Sequence, residues 1–192
     1  MRSLWMISWI FTYPLFKLLT GVEIKGTIPK KGPIIIASNH TSFLDPPLIA
    51  YTTFREVYFL AKSNLFEVSR FFRWLITTYN AISIGTTEGL KTAIRLLKQD
   101  KVVVIFPEGT RSRTKTMLPF NPGMSYLAIS LNVPVVPVYI TNSEEKVVSI
   151  LLRINKIKIR YGKPIMPCGY KKTKEDYEKF ANKMREEVER LK

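Results

Sequence analysis

The sequence predicts a single α/β domain with a mostly parallel or mixed central sheet flanked by helices. Three observations carry that prediction. Short apolar runs alternate with stretches of helical period along most of the chain, the pattern of a sheet covered by helices. Two of those runs, residues 33–37 and 102–106, are continuously hydrophobic, as in strands buried on both faces. Each is followed by a polar loop carrying charged and hydroxyl groups. The 192 residues hold no internal repeat, low-complexity tract or second domain. That length suits one domain with a substantial core.

Residues 22–25 alternate and read as a strand, and 33–37 as the next. A helix is expected from about 46 to 52, because Pro46 and Pro47 suit the first helical positions. Residues 57–61 form a third strand. Residues 64–78 read as one helix, with Leu65, Val68, Phe72, Leu75 and Ile76 at helical spacing. Phe71 and Trp74 add apolar surface beside that stripe, and core packing is their expected use. A short strand at 82–84 precedes a helix over 87–99. That helix turns Leu90, Ala93, Ile94 and Leu97 inward and Lys91, Arg95 and Lys98 outward. Strand 102–106, helix 122–131 and strand 135–140 follow. Residues 156–161 alternate strictly, which predicts a half-exposed or edge strand. An amphipathic helix over 173–191 closes the domain, capped at Thr173, with Tyr177, Phe180, Met184, Val188 and Leu191 as its apolar stripe.

Composition narrows the function classes. Hydrophobic residues make up 46% of the chain, which excludes general disorder. Thirty basic residues against fifteen acidic give a net charge of +15. That excess predicts an anionic partner, whether nucleic acid, an acidic protein or an anionic membrane. No nucleic-acid-binding motif accompanies it, so nucleic acid is not expected. One cysteine, Cys168, excludes an internal disulfide framework, and its place between Pro167 and Gly169 predicts a structural turn. A single histidine and a single cysteine argue against a zinc site. No G-x-G-x-x-G or Walker-type loop is present.

The N-terminus points to a membrane. Residues 3–16 carry no charge and include Trp5, Trp9, Phe11, Tyr13 and Phe16, bracketed by Arg2 and Lys17. Fourteen helical residues span about 21 Å, short of a hydrocarbon core of about 30 Å. Tryptophan and tyrosine favour the headgroup region. Residues 1–21 are therefore read as a membrane-associating helix lying in one leaflet, and 22–192 as the domain proper. A buried core helix is the alternative. A cleaved signal peptide lacks an A-x-A-like site here.

The chemistry centres on His40, the only histidine, in the run Asn39-His40-Thr41-Ser42-Phe43-Leu44-Asp45. Histidine exchanges protons near neutral pH, and a carboxylate can hold its tautomer and stabilise its charged form. Residues five apart do not face each other on a continuous helix. A His40–Asp45 contact therefore requires a bend between strand and helix. The other reading of Asp45 is a helix N-cap, or the acidic end of a capping box begun by Ser42. The second polar loop reads Pro107-Glu108-Gly109-Thr110-Arg111-Ser112-Arg113. Its glycine permits close backbone approach to a ligand, its arginine fork suits phosphate, and its glutamate suits a polyol. A solvated turn is the alternative.

These blocks resemble the glycerolipid acyltransferases of the lysophosphatidic acid acyltransferase type. The residues from Asn39 to Asp45 match the family's H-x4-D motif. Phe106-Pro107-Glu108-Gly109-Thr110-Arg111-Ser112 matches its third block and Val133-Pro134-Val135-Val136-Pro137-Val138 its fourth. The second block departs: Asn80-Ala81-Ile82-Ser83-Ile84-Gly85-Thr86 ends in threonine where the family has arginine. Asn121 stands where lysine is common. Lys62, Lys91 or Arg113 are the cations left to compensate.

The resemblance implies transfer of an acyl group from acyl-CoA or an acyl carrier protein to the free hydroxyl of lysophosphatidic acid, giving phosphatidic acid without a cofactor. His40 would be the base and Asp45 its partner, while Glu108, Gly109, Thr110 and Arg111 would hold the acceptor. It implies membrane association, at the cytoplasmic face. Another lysolipid or glycerol 3-phosphate is the alternative acceptor, and a non-catalytic membrane-binding protein is the alternative of a different class. Phe71 and Trp74 then acquire a second reading, contact with an acyl chain. The basic helix face acquires one too, docking an acidic carrier protein or lipid headgroups, although a solvated face is the simpler expectation.

Overall fold

The computed structural model describes residues 17–18, 21–84, 87–112, 114, 116–144 and 156–192. Most of segment 1–21, and with it the expected membrane helix, lies outside the described residues. Among those described, no helix is long and apolar enough to cross a membrane.

Seven strands form one sheet: β1 (Glu23–Lys25), β2 (Ile34–Ser38), β3 (Val57–Lys62), β4 (Ala81–Ile84), β5 (Val102–Ile105), β6 (Val135–Thr141) and β7 (Lys158–Tyr161). Their spatial order is β1-β7-β6-β2-β5-β3-β4. From β6 to β4 every pairing is parallel. Strand β7 runs antiparallel to β6, and β1 pairs with β7 in parallel. The sheet is therefore mixed. The expected half-exposure of β7 holds, with Ile159 and Tyr161 buried and Lys158 exposed. It is not an edge strand, because β1 covers its outer side.

Among the described residues five helices pack on the sheet: α1 (Asp45–Thr52), α2 (Arg70–Thr78), α3 (Thr87–Lys98), α4 (Gly123–Leu131) and α5 (Lys174–Glu189). Side-chain alternation along the strands divides the core in two. Ile35, Ala37, Val103 and Val135 pack with α3, α4 and α5 on one face. Ile34, Ile36, Val104 and Val136 pack with Leu48 and Ile49 of α1 on the other. The three isoleucines of β2 are fully buried, each stabilising the fold by roughly 1.5–3 kcal/mol. They make β2 the rigid centre of the sheet.

Two helix expectations are corrected. The stretch 64–78 is not one helix: a 3₁₀ turn spans Ser63–Phe66, and α2 starts only at Arg70. Ser69 causes the restart, because its Oγ accepts the Phe72 N–H at 3.0 Å as an N-cap. The core role expected of Phe71 and Trp74 also fails, since they are 71% and 61% exposed. In α3 the buried residues are Gly89, Ala93, Leu96 and Leu97, whereas Leu90 is exposed and Ile94 half-buried. The stripe is rotated because Gly89 lies directly against β4, where an added Cβ would stand 1.9 Å from the Ser83 carbonyl oxygen. The basic face of Lys91, Arg95 and Lys98 is exposed.

The strand order places a switch point at β2. Its neighbours β5 and β6 leave in opposite directions across the sheet, and the carboxyl ends of all three point to one edge. Open α/β sheets bind ligands in such a crevice. Residues 39–44, 106–112 and 142–144 follow those ends.

Gly89→Ala is expected to destabilise the protein by about 1–3 kcal/mol, since β4 backbone must give way. Gly123→Ala, with no atom near its added Cβ, is expected to be neutral or stabilising. Chemical denaturation of the two variants checks the pair, and equal losses would remove the packing account of Gly89.

Candidate active site

Strand β2 ends at Ser38 and α1 begins at Asp45, so residues 39–44 make the required bend. Pro46 and Pro47 occupy the next helical positions and have no N–H. A carboxylate capping from Asp45 would find no donor on either proline, and the next amide, Leu48 N–H, donates to the Leu44 carbonyl at 2.9 Å; no side-chain cap bond is made at this helix start. The Asp45 side chain turns back instead. Its Oδ2 accepts the Nδ1–H of His40, the N–H of Thr41 and the N–H of Ser42, each at 2.8 Å. Asp45 is fully buried. The N-cap reading is thus corrected. Of the capping box only the bond from the Ser42 N–H remains, while Ser42 Oγ accepts the N–H of Leu44 at 3.1 Å.

An ionised carboxylate only accepts, so the His40 proton sits on Nδ1 and Nε2 is left as the basic nitrogen. The imidazole stacks on Phe106 from the end of β5, with ring centroids 4.2 Å apart and 24° between planes. Its ring is thereby held on one edge by Asp45 and on one face by Phe106.

Glu108 clamps this loop. Its Oε1 accepts the N–H of His40 and its Oε2 the N–H of Leu118, both at 2.8 Å. The Ser112 N–H donates to the His40 carbonyl at 2.8 Å, tying the same two loops again. Glu108 is buried, and that burial pushes its carboxyl above the ordinary carboxylate value. The two amides oppose the shift, as does His40 when its ring is protonated, and the Asp45 charge reinforces it. Both oxygens expected to face a polyol are thus engaged by backbone.

Gly109 adopts φ +70°, and an added Cβ would sit 2.9 Å from Asn121 Nδ2. Thr110 and Arg111 are exposed beyond it. The Arg111 guanidinium lies over the Phe43 ring, 3.5 Å from its centroid. Lys62 and Lys91 are exposed on β3 and α3, whereas Thr86 and Arg113 lie outside the described residues. Asn121 offers no charge in the way a lysine would, and one N–H of its Nδ2 donates to the Pro107 carbonyl at 3.0 Å.

Sequence reasoning missed several supporting residues. Asn39 is buried and extends β2 towards β6. Its Nδ2 donates to the Ile140 carbonyl at 2.9 Å and its Oδ1 accepts the Ile140 N–H at 2.8 Å. Buried Ser143, after β6, shares a 3.0 Å hydrogen bond with Thr41 Oγ1. Asn39 was signalled by standing next to His40. Ser143 carried no local signal.

The raised carboxyl of Glu108 has a pH consequence. Its protonated form favours the fold, and that contribution is lost as pH rises from near 4.5 through the raised folded-state value. The stability of the protein relative to Glu108→Gln is therefore expected to fall across that window, measured by urea unfolding at stepped pH. A flat difference would remove the burial account.

The acyltransferase family profile matches residues 20–141. The chain is 31% identical to the 1-acyl-sn-glycerol-3-phosphate acyltransferase of Saccharomyces cerevisiae, over 96% of this chain and 64% of that protein. It is 32% identical to the human alpha form, over 65% of this chain and 47% of that one. It is 27% identical to the Cocos nucifera enzyme of the same name, over 88% and 55%. The chain thus spans about half the length of several curated relatives it matches. The crystal structure of the 1-acyl-sn-glycerophosphate acyltransferase PlsC from Thermotoga maritima superimposes with a TM-score of 0.75 at 26% identity, covering 99% of this chain and 80% of that one. With the profile matching well over half the residues, on a fold that gathers its motif loops at one sheet edge, this chain belongs to the acyltransferase family.

Proposed function

We propose that the chain transfers a fatty acyl group from an acyl-CoA or acyl carrier protein thioester to the free hydroxyl of lysophosphatidic acid, giving phosphatidic acid. The observation that carries this reading is the buried Asp45 carboxylate on His40 Nδ1, which leaves Nε2 to act as base. Nε2 takes the acceptor's proton as its oxygen attacks the thioester carbonyl. Asp45 stabilises the imidazolium. The tetrahedral intermediate then expels the thiolate, which leaves as thiol with the proton from His40. Arg111, and the Gly109–Thr110 backbone beside it, receive the acceptor phosphate. Glu108 serves this by holding the two loops together, whatever further contact it makes with the glycerol. The relatives' names, all of 1-acylglycerol-3-phosphate acyltransferases, favour lysophosphatidic acid as acceptor.

A different lysolipid or glycerol 3-phosphate is the second reading, and one observation favours it. Asn121, a neutral amide with one N–H bonded to the Pro107 carbonyl, stands where a phosphate-binding cation is common. We place the reaction at an anionic membrane surface, on the cytoplasmic face. Exposed Phe71 and Trp74 next to exposed Arg70 and Arg73 on α2 support the anionic membrane surface.

His40→Ala is expected to lower kcat by about 10²–10⁴-fold or more with the fold retained, measured as thiol release on detergent-solubilised protein. Near-normal turnover would refute the base assignment. Thioester consumption absent from the native protein with every acceptor would favour a non-catalytic membrane protein. Arg111→Ala is expected to raise KM for lysophosphatidic acid selectively, and an equal loss with monoacylglycerol would remove its phosphate role.

A further inference from the structure

Arg111 faces a problem that its loop does not solve. Its side chain is long, exposed and rich in rotamers, and such freedom opposes a well-placed phosphate site. Among the described residues no carboxylate holds it. What holds it is an aromatic ring: the guanidinium carbon lies 3.5 Å from the Phe43 centroid. That is stacking distance, well inside the reach of a cation–π contact. Phe43 is itself 60% exposed, so burial does not explain why a large apolar ring stands there.

Stacking and phosphate binding use different parts of a guanidinium. The ring covers a face, while the N–H donors project in the plane. A guanidinium laid on Phe43 therefore keeps its fork for two phosphate oxygens. Phe43 also lies three residues from His40 on the same loop. The neighbouring Ser112–His40 and Glu108–His40 bonds already tie that loop to the one carrying Arg111. The stack extends this joint from backbone to side chain.

We propose that Phe43 is a positioning residue for the acceptor: it fixes the Arg111 fork relative to the His40 base, and so sets selectivity for acceptors whose phosphate monoester lies a fixed reach from the reacting hydroxyl. The proposal rests on the phosphate role given to Arg111 above. Phe43 touches no reacting atom. Its effect passes through Arg111.

The test is a double-mutant cycle of Phe43→Ala and Arg111→Gln, with Phe43→Tyr as the conservative variant. Lysophosphatidic acid in detergent is the acceptor, and its direct binding to the same variants in the His40→Ala background is a second readout. Phe43→Ala is expected to raise KM and the dissociation constant by about 2- to 30-fold, the range of one cation–π contact, with kcat little changed. Phe43→Tyr should restore both. In the Arg111→Gln background Phe43→Ala should have no further effect. An additive loss there would show Phe43 acting on the acyl chain or the detergent surface, and would overturn the proposal. If Arg111→Gln weakens lysophosphatidic acid but Phe43→Ala is silent, only the role of Phe43 falls. If Arg111→Gln itself is silent, the phosphate reading falls and this proposal with it.

Discussion

Three N–H groups from consecutive residues, His40, Thr41 and Ser42, converge on one oxygen of the buried Asp45 carboxylate. A charge taken out of water is costly unless it is met by several strong donors. Here the donors are two backbone amides and the imidazole, all on Oδ2, while Oδ1 is buried without a hydrogen-bond partner among the described residues, so meeting the charge on one oxygen also folds the loop. The loop conformation and the His40 tautomer are consequences of one constraint. Removing the carboxylate would leave two loop amides without their acceptor and the imidazole without its orienting partner.

That constraint depends on what lies on both sides of it. Upstream, β2 is buried on both faces and between two parallel neighbours, so residue 38 is a fixed point from which the loop leaves. Downstream, Pro46 and Pro47 remove the amides that would otherwise compete for the carboxylate at the helix start. From the side, Glu108 takes the His40 amide, Phe106 takes a face of the ring, and Ser112 takes the His40 carbonyl. All three come from the segment after β5, adjacent to β2 in the sheet. The charged loop is therefore part of the histidine's support as well as a candidate acceptor site.

Charge and apolar surface fit a lipid-facing enzyme without defining one by themselves. The two most prominent apolar side chains of α2, Phe71 and Trp74, are exposed, and the start of that helix is set by the Ser69 cap rather than by the hydrophobic period. A periodicity reading assumes that an apolar stripe faces the core. Phe71 and Trp74 break that assumption, as expected of side chains whose use lies outside the domain.

The sequence by itself determined the α/β class and the strand runs to within a residue or two, and it singled out His40 and Asp45 as a candidate pair, because each is encoded locally. Continuous apolar runs mark strands buried on both faces, and a proline pair marks a helix start; that Asp45 turns back to His40 instead of capping that helix was decided by the fold. Only the tertiary structure decided that Glu108 clamps backbone, that Asn39 ties the end of β2 to β6 and Ser143 braces the loop from beyond β6, that α3 turns one position to seat Gly89 on β4, and that Arg111 lies on Phe43. Those contacts join residues up to about a hundred positions apart. Their partners are chosen by strand order, which brings β2, β5 and β6 side by side, and no local period or propensity records which strands become neighbours.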